Sequence, residues 1–139
     1  MDRILIVDDE AAILMLYDGE LTEEGYDVTT CSDGSQVLEV IKKSKPDIVL
    51  LDIRLGNYNG LDLLQEIRNT HYDLPVILCS SYPVFKYDMK SIAADYYVVK
   101  SANLDGLKAK IRIALEGRGL VSSEENNGIT SWEDQQLLQ

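Results

Sequence analysis

The chain has 139 residues, 45% of them hydrophobic, and a formal net charge of −11. That length suits one ordinary domain with a packed core and leaves little for a second. The acidity argues against direct nucleic-acid binding, which draws on basic groups that displace counterions from phosphates, and no run approaches the ~18 apolar residues needed to cross a bilayer.

In chain order, Met1-Asp2-Arg3 leads into the apolar run Ile4-Leu5-Ile6-Val7, too short for the core of a signal peptide. A cytoplasmic protein is the expectation. The run is continuous, not alternating, as suits a strand buried on both faces. It ends in Asp8-Asp9-Glu10. Leu14, Tyr17 and Leu21 follow at helical spacing, and Gly25 supplies a stop. Tyr26 to Cys31, rich in β-branched residues, predicts a second strand. Val37, Val40 and Ile41 line one face of a short helix that Asp33 or Ser32 can cap. A third strand, Ile48-Val49-Leu50-Leu51, ends in Asp52, and Asn57-Tyr58-Asn59-Gly60 makes a turn-prone loop after it.

Leu61, Leu64 and Ile67 mark a third helix. Val76-Ile77-Leu78-Cys79 reads as a fourth strand, ending in Ser80-Ser81. From Tyr82 to Ala94 the apolar spacing is irregular, and Pro83 opens a short helix at best. Tyr96-Tyr97-Val98-Val99 is the fifth strand and ends in Lys100. Leu104, Leu107, Ile111 and Ala114 mark a last helix, capped by Asn103. Gly117-Arg118-Gly119 then signals a break. Residues 120–139 are polar, with Glu124, Glu125, Glu133 and Asp134 against no Lys or Arg; Ile129, Trp132, Leu137 and Leu138 leave room for a short docking helix. The two cysteines, Cys31 and Cys79, read as reduced, buried thiols. His71 lacks a second His or nearby Cys and is given no role.

Strand alternating with helix five times implies an α/β fold: a doubly wound, flavodoxin-like parallel sheet with helices on both faces. The common order for five strands is 2-1-3-4-5, and ligands in such sheets sit beyond the carboxyl ends of the strands. Those ends carry Asp8, Asp9, Asp52, Ser80 and Lys100. Each has a plain structural reading: an acid can cap the next helix or open a turn. Their gathering at one rim is harder to explain that way. Carboxylates packed together raise one another's pKa unless a cation joins them, and Mg²⁺ suits such a site because it binds a few hard oxygens and stays open to phosphate. Asp9 and Asp52 supply ligands, with Asp8 orienting a bound water. A free oxygen of Asp52 is then a nucleophile for phosphorus, giving an acyl phosphate. The Ser80 hydroxyl and the Lys100 ammonium suit its oxygens.

From about Arg3 to Glu116 the chain resembles the receiver domain of two-component response regulators, in the chemotaxis-regulator manner. The resemblance lies in Asp8-Asp9; in Pro46-Asp47-Ile48-Val49-Leu50-Leu51-Asp52 with Leu55 and Gly60 after it; in Pro75-Val76-Ile77-Leu78-Cys79-Ser80-Ser81; and in Asp95-Tyr96-Tyr97-Val98-Val99-Lys100. It implies a receiver at residues 1–117 and a polar tail at 118–139. It further implies Mg²⁺-dependent transfer of phosphate to Asp52 from a phosphohistidine on a sensor histidine kinase or phosphotransfer protein, with the Arg54 backbone carbonyl completing the metal site. Ser80 then moves toward the phosphate and Tyr97 turns inward. The face made by the fourth helix, fifth strand and last helix repacks to control an output partner or a phosphorylation-dependent homodimer. A protein of this kind is a switch, not an enzyme, since it catalyses only its own phosphoryl transfer and dephosphorylation. A stand-alone receiver is favoured over an excised piece.

The departures are specific. Ser101 follows Lys100 where the family has Pro after a cis peptide; a non-proline cis bond costs about 2.5–4 kcal/mol, so a trans bond is expected. The Ser80-to-Lys100 segment is shorter than the family pattern, which predicts a short or distorted fourth helix. Gly56 stands where Pro is common. The resemblance also implies that Arg54 and Tyr82, two residues beyond Asp52 and Ser80, flank the phosphoryl group, where a bulky pair can screen it. Two rivals are a haloacid-dehalogenase-like phosphatase, in which an Asp would stand at Arg54, and a degenerate receiver that only binds partners.

Overall fold

The apolar runs form the strands of one parallel sheet. The computed structural model describes residues 1–81 and 94–123. The strands are β1 (Arg3–Val7), β2 (Asp27–Cys31), β3 (Ile48–Asp52), the two-residue β4 (Arg54–Leu55) and β5 (Tyr58–Asn59), β6 (Val76–Ser80) and β7 (Tyr96–Val99). The helices are α1 (Ala11–Glu23), α2 (Val37–Ser44), α3 (Gly60–Thr70) and α4 (Asp105–Ser123). The main sheet runs β2-β1-β3-β6-β7, every neighbour parallel. Counted by its own strands, that is the flavodoxin-like order 2-1-3-4-5 expected from the sequence. β4 and β5 make a separate antiparallel hairpin, which the sequence reading took as a loop.

Continuous apolar strands let both faces be covered. Leu5, Val7, Val49, Leu51, Val76 and Leu78 share one core cluster with Val37 and Ile41 of α2 and Leu64 and Ile67 of α3. The alternate residues, Ile4, Ile6, Ile48, Leu50, Ile77 and Cys79, join Tyr17 and Leu21 of α1 and Leu107 and Ile111 of α4. Each fully buried aliphatic side chain contributes about 1.5–3 kcal/mol, so β1, β3 and β6 are the rigid frame. Cys31 and Cys79 are free, buried thiols.

Helix starts follow local polar chemistry. Asn59 Oδ1 accepts from Leu61 N at 2.8 Å to open α3, and Asn103 Oδ1 accepts from Asp105 N at 2.8 Å to open α4. Asp33 accepts from Ser35 N at 2.9 Å, but it caps a 3₁₀ turn over Gly34–Gln36; α2 starts after that turn with no side-chain cap of its own. Leu104, Leu107, Ile111 and Ala114 are buried as their spacing predicts. α4 does not stop at the Gly117-Arg118-Gly119 break but runs to Ser123. Glycine weakens a helix by about 1 kcal/mol, yet it keeps its N–H and adds no clash, so an anchored helix can pass through it.

The Lys100–Ser101 bond is trans, as expected: no peptide among the described residues is cis. Among the described residues no helix is long and apolar enough to cross a membrane. The expected fourth helix and the tail's docking helix lie outside the described residues.

Candidate functional site

Parallel register sets the strand ends side by side. Val7 pairs with Leu51 and Asp52 with Cys79, while Lys100 N donates to Ser80 O at 2.7 Å. The residues at those ends therefore meet at the C-terminal edge of the sheet. There an open depression of about 250 Å³ is lined by Asp9, Glu10, Asp52, Arg54, Ser80, Ser81 and Lys100. Asp8 lies beneath it and is 2% exposed.

Lys100 holds the centre. Its Nζ lies 2.6 Å from Asp8 Oδ2 and 3.2 Å from Asp52 Oδ2, and Glu10 Oε1 is 4.0 Å away. Asp8 also accepts from Glu10 N at 2.9 Å. Asp8, Asp9 and Asp52 each offer a carboxylate oxygen, all within 4.8 Å of one another. Four carboxylates, Asp8, Asp9, Glu10 and Asp52, stand against Lys100 and Arg54, an excess of two negative charges. Like charges ~4 Å apart repel by about 4 kcal/mol at an effective dielectric near 20. A set of hard oxygens with that excess fits a divalent ion such as Mg²⁺.

Ionisation follows this crowding. Burial, then the Asp8 charge, push Asp52 up to about 6, against the pull of Lys100. Burial alone would lower the Lys100 pKa. The hydrogen bond to Asp8 and the charges of Asp52 and Asp8 outweigh it, so the ammonium is held above its ordinary range. Asp52 is thus a buried acid poised near neutrality, beside a lysine that stays charged.

The hairpin of β4 and β5 closes one side. Gly56 N donates to Asp9 Oδ2 at 3.0 Å, and Arg54 N lies 3.4 Å from Asp52 Oδ1. Gly60 must lack a side chain, because a Cβ there would meet the Asp52 carbonyl oxygen at 2.1 Å. On the opposite side Ser80 is buried and hydrogen-bonds the side chain of Tyr97, which is itself buried.

The structure brings together Asp8, Asp9, Asp52, Arg54, Ser80 and Lys100, with Tyr97 behind Ser80; Tyr82 lies outside the described residues. The Gly56 amide was missed. A backbone donor in a two-residue hairpin leaves no periodic signal, although a glycine beside turn residues is a cue. Glu10 and Ser81 were visible only as neighbours of stronger candidates.

Residues 4–112 match the response regulator receiver domain. The chain is 38% identical over 113 residues to the transcriptional regulatory protein KdpE of Staphylococcus aureus, covering 80% of this chain and 48% of that one. It is 30% identical over 121 residues to the probable transcriptional regulatory protein TcrX of Mycobacterium tuberculosis, covering 86% and 52%. The chain thus spans about half the length of these curated relatives. Among solved structures, the response regulator TrrA of Thermotoga maritima, in complex with Mg²⁺–BeF, superposes with a TM-score of 0.80 at 42% identity, covering 82% of this chain and 99% of that one. TrrA in complex with the histidine kinase ThkA gives 0.78 at 43%, covering 83% and 99%.

Proposed function

The chain belongs to the response regulator receiver domain family, and on that footing we propose that it is a phosphorylation-dependent signalling switch whose phosphoryl acceptor is Asp52. The observation that carries this reading is the buried Asp52 carboxyl, 3.2 Å from the Lys100 ammonium in a cluster short of positive charge.

The donor is a phosphohistidine on a sensor histidine kinase or phosphotransfer protein, a partner class supported by the complex of TrrA with ThkA. A carboxylate oxygen of Asp52 attacks phosphorus; the phosphorus–nitrogen bond of the donor breaks, and the ring nitrogen keeps the electron pair. Asp9, Asp52 and the Arg54 carbonyl would hold Mg²⁺, with Asp8 acting through a water; the bound ion neutralises charge on the transferred group. Lys100, already turned toward Asp52, takes up a phosphoryl oxygen as a charged donor. The Ser80 hydroxyl supplies another bond, and its move away from Tyr97 couples the phosphate to that ring.

The added phosphate brings about −1.5 to −2 charge and biases the packing of the face that includes β7 and α4. That face serves an output partner or a phosphorylation-dependent homodimer. The receiver occupies residues 1–117, the tail 118–139, and the site of action is the cytoplasm, where phosphohistidine donors and Mg²⁺ are at hand. The chain catalyses only its own phosphorylation and dephosphorylation.

Incubation with acetyl phosphate and Mg²⁺, followed by intact mass, tests the reading. One phosphoryl group per chain, absent from Asp52→Asn, is the expected result. No adduct on the parent protein would overturn it.

A further inference from the structure

The turn after β2 is fastened to the end of β1. Asp8 N donates to Cys31 O at 3.1 Å and Cys31 Sγ donates to Asp33 O at 3.3 Å. Asp33 Oδ1 accepts from Ser35 N at 2.9 Å and from Ser35 Oγ at 2.8 Å. Gly34 is buried in this turn, and the root of the Tyr58 side chain stands where its Cβ would be: an added Cβ would meet Tyr58 Cγ at 2.5 Å and Tyr58 Cβ at 2.7 Å. Turning the Tyr58 ring does not move its Cβ, so a methyl at Gly34 must push the backbones of this turn and of β5 apart.

That displacement has a direct route to the acidic cluster. Tyr58 pairs with Leu55 and Asn59 with Arg54. The turn between the two strands carries Gly56, whose amide holds Asp9 Oδ2, and the other strand begins at Arg54, beside Asp52. The contacts thus run from Asp8 through Cys31, Asp33, Gly34, Tyr58 and Gly56 back to Asp9.

We infer that the contact of Tyr58 on Gly34 is a clamp that holds the β4–β5 hairpin, and through it Asp9 and the Arg54 peptide, in the arrangement that binds a divalent cation. Tyr58 is a positioning residue and touches no reacting atom. The inference deepens the Mg²⁺-dependent reading above and rests on it. Residues behind a metal's own ligands typically change its affinity about 10- to 100-fold when altered, and the clamp belongs at the lower end because it acts through one hairpin.

Mg²⁺ titration of the full chain by calorimetry tests it, with the metal-free unfolding midpoint measured alongside. Gly34→Ala is expected to weaken Mg²⁺ binding about tenfold, and Tyr58→Gly to weaken it as well. In the Gly34→Ala, Tyr58→Gly double variant the first change should cost nothing further, since the colliding atoms are gone. Simple loss of stability would not produce that non-additivity. Gly19→Ala, where nothing lies within 4 Å, should leave the affinity unchanged. Should Gly34→Ala fail to fold, the half-exposed Tyr58→Gly decides alone. Parent-like Mg²⁺ affinity in the single variants overturns the clamp and leaves the switch standing; a parent chain that binds no Mg²⁺ overturns both.

Discussion

The two ends of the central sheet are built from the same strands and handle charge in opposite ways. At the N-terminal end Asp47, Asp27 and Asp95 each meet a backbone amide or an arginine. Asp47 Oδ2 accepts from Arg3 N at 2.8 Å, Asp27 lies 4.0 Å from Arg3 Nε, and Asp95 Oδ2 accepts from Val76 N at 2.7 Å and from Arg68 Nη2 at 2.8 Å. At the C-terminal end Asp8 and Asp52 share Lys100, with the Asp9 carboxylate crowded against them, and Asp8 and Asp52 are only 2% and 6% exposed. The larger hollow, about 420 Å³ around Ile41, Lys45, His71 and Leu74, is at the quiet end; that at the crowded end is about 250 Å³. Cavity size therefore does not mark the site. Buried charge left out of balance does.

Lys100→Ala should sharpen that contrast most. It leaves two buried carboxyls without their cation, and urea unfolding at pH 8 in EDTA should show a loss of about 3–5 kcal/mol. Phosphorylation by acetyl phosphate should slow about a hundredfold, the usual scale for losing one charged donor to a developing anion. An unchanged midpoint would show that the ends do not differ.

Asp52→Asn should act in the other direction on stability. Folding raises the Asp52 pKa from 3.8 to about 6, so the native state holds this proton more tightly than the unfolded chain does. The resulting stability is full below the unfolded value and is lost as pH rises through about 6. In EDTA the variant should therefore exceed the parent by up to about 3 kcal/mol at pH 8, with the gap closing near pH 4. A gap that does not change with pH would break the argument.

At the quiet end Arg68→Ala should cost about 1.5–3 kcal/mol, since it removes a charged hydrogen bond to a half-exposed Asp95. The phosphorylation rate should stay at the parent value; a slowed reaction would mean that the ends are coupled. The smallest effect should come from Arg54→Ala combined with Tyr82→Ala. It should shorten the phosphate lifetime a few-fold, measured as loss of the mass adduct over time. An equal lifetime would remove the screening role.

Much of this was legible in the sequence, for physical reasons. Ile4–Val7, Ile48–Leu51 and Val76–Cys79 are continuous apolar runs because both faces of the sheet are covered, and the first polar residue after each run stands at the C-terminal edge of the sheet. Hence Asp8, Asp52 and Ser80 announced themselves at strand ends. The β4–β5 hairpin did not, because two-residue strands carry no periodicity. The sequence offers Asp33 or Ser32 as a helix cap, and Asp33 caps a 3₁₀ turn, since the same side-chain bond serves both. The passage of α4 through Gly117 and Gly119 was hidden because propensity is a weak prior beside packing upstream. The size of the Asp52 shift and the reach of Tyr58 to Gly34 depend on distances across the fold, which no local pattern encodes.

The crowded rim can be tested on one atom. In carbon NMR of the labelled Asp52 carboxyl, titrated without and then with saturating Mg²⁺, the midpoint should lie near 6 in the metal-free protein and fall below about 4 with the ion, as a nearby cation favours the charged form. A midpoint near 4 in the metal-free protein, unmoved by Mg²⁺, would contradict the account.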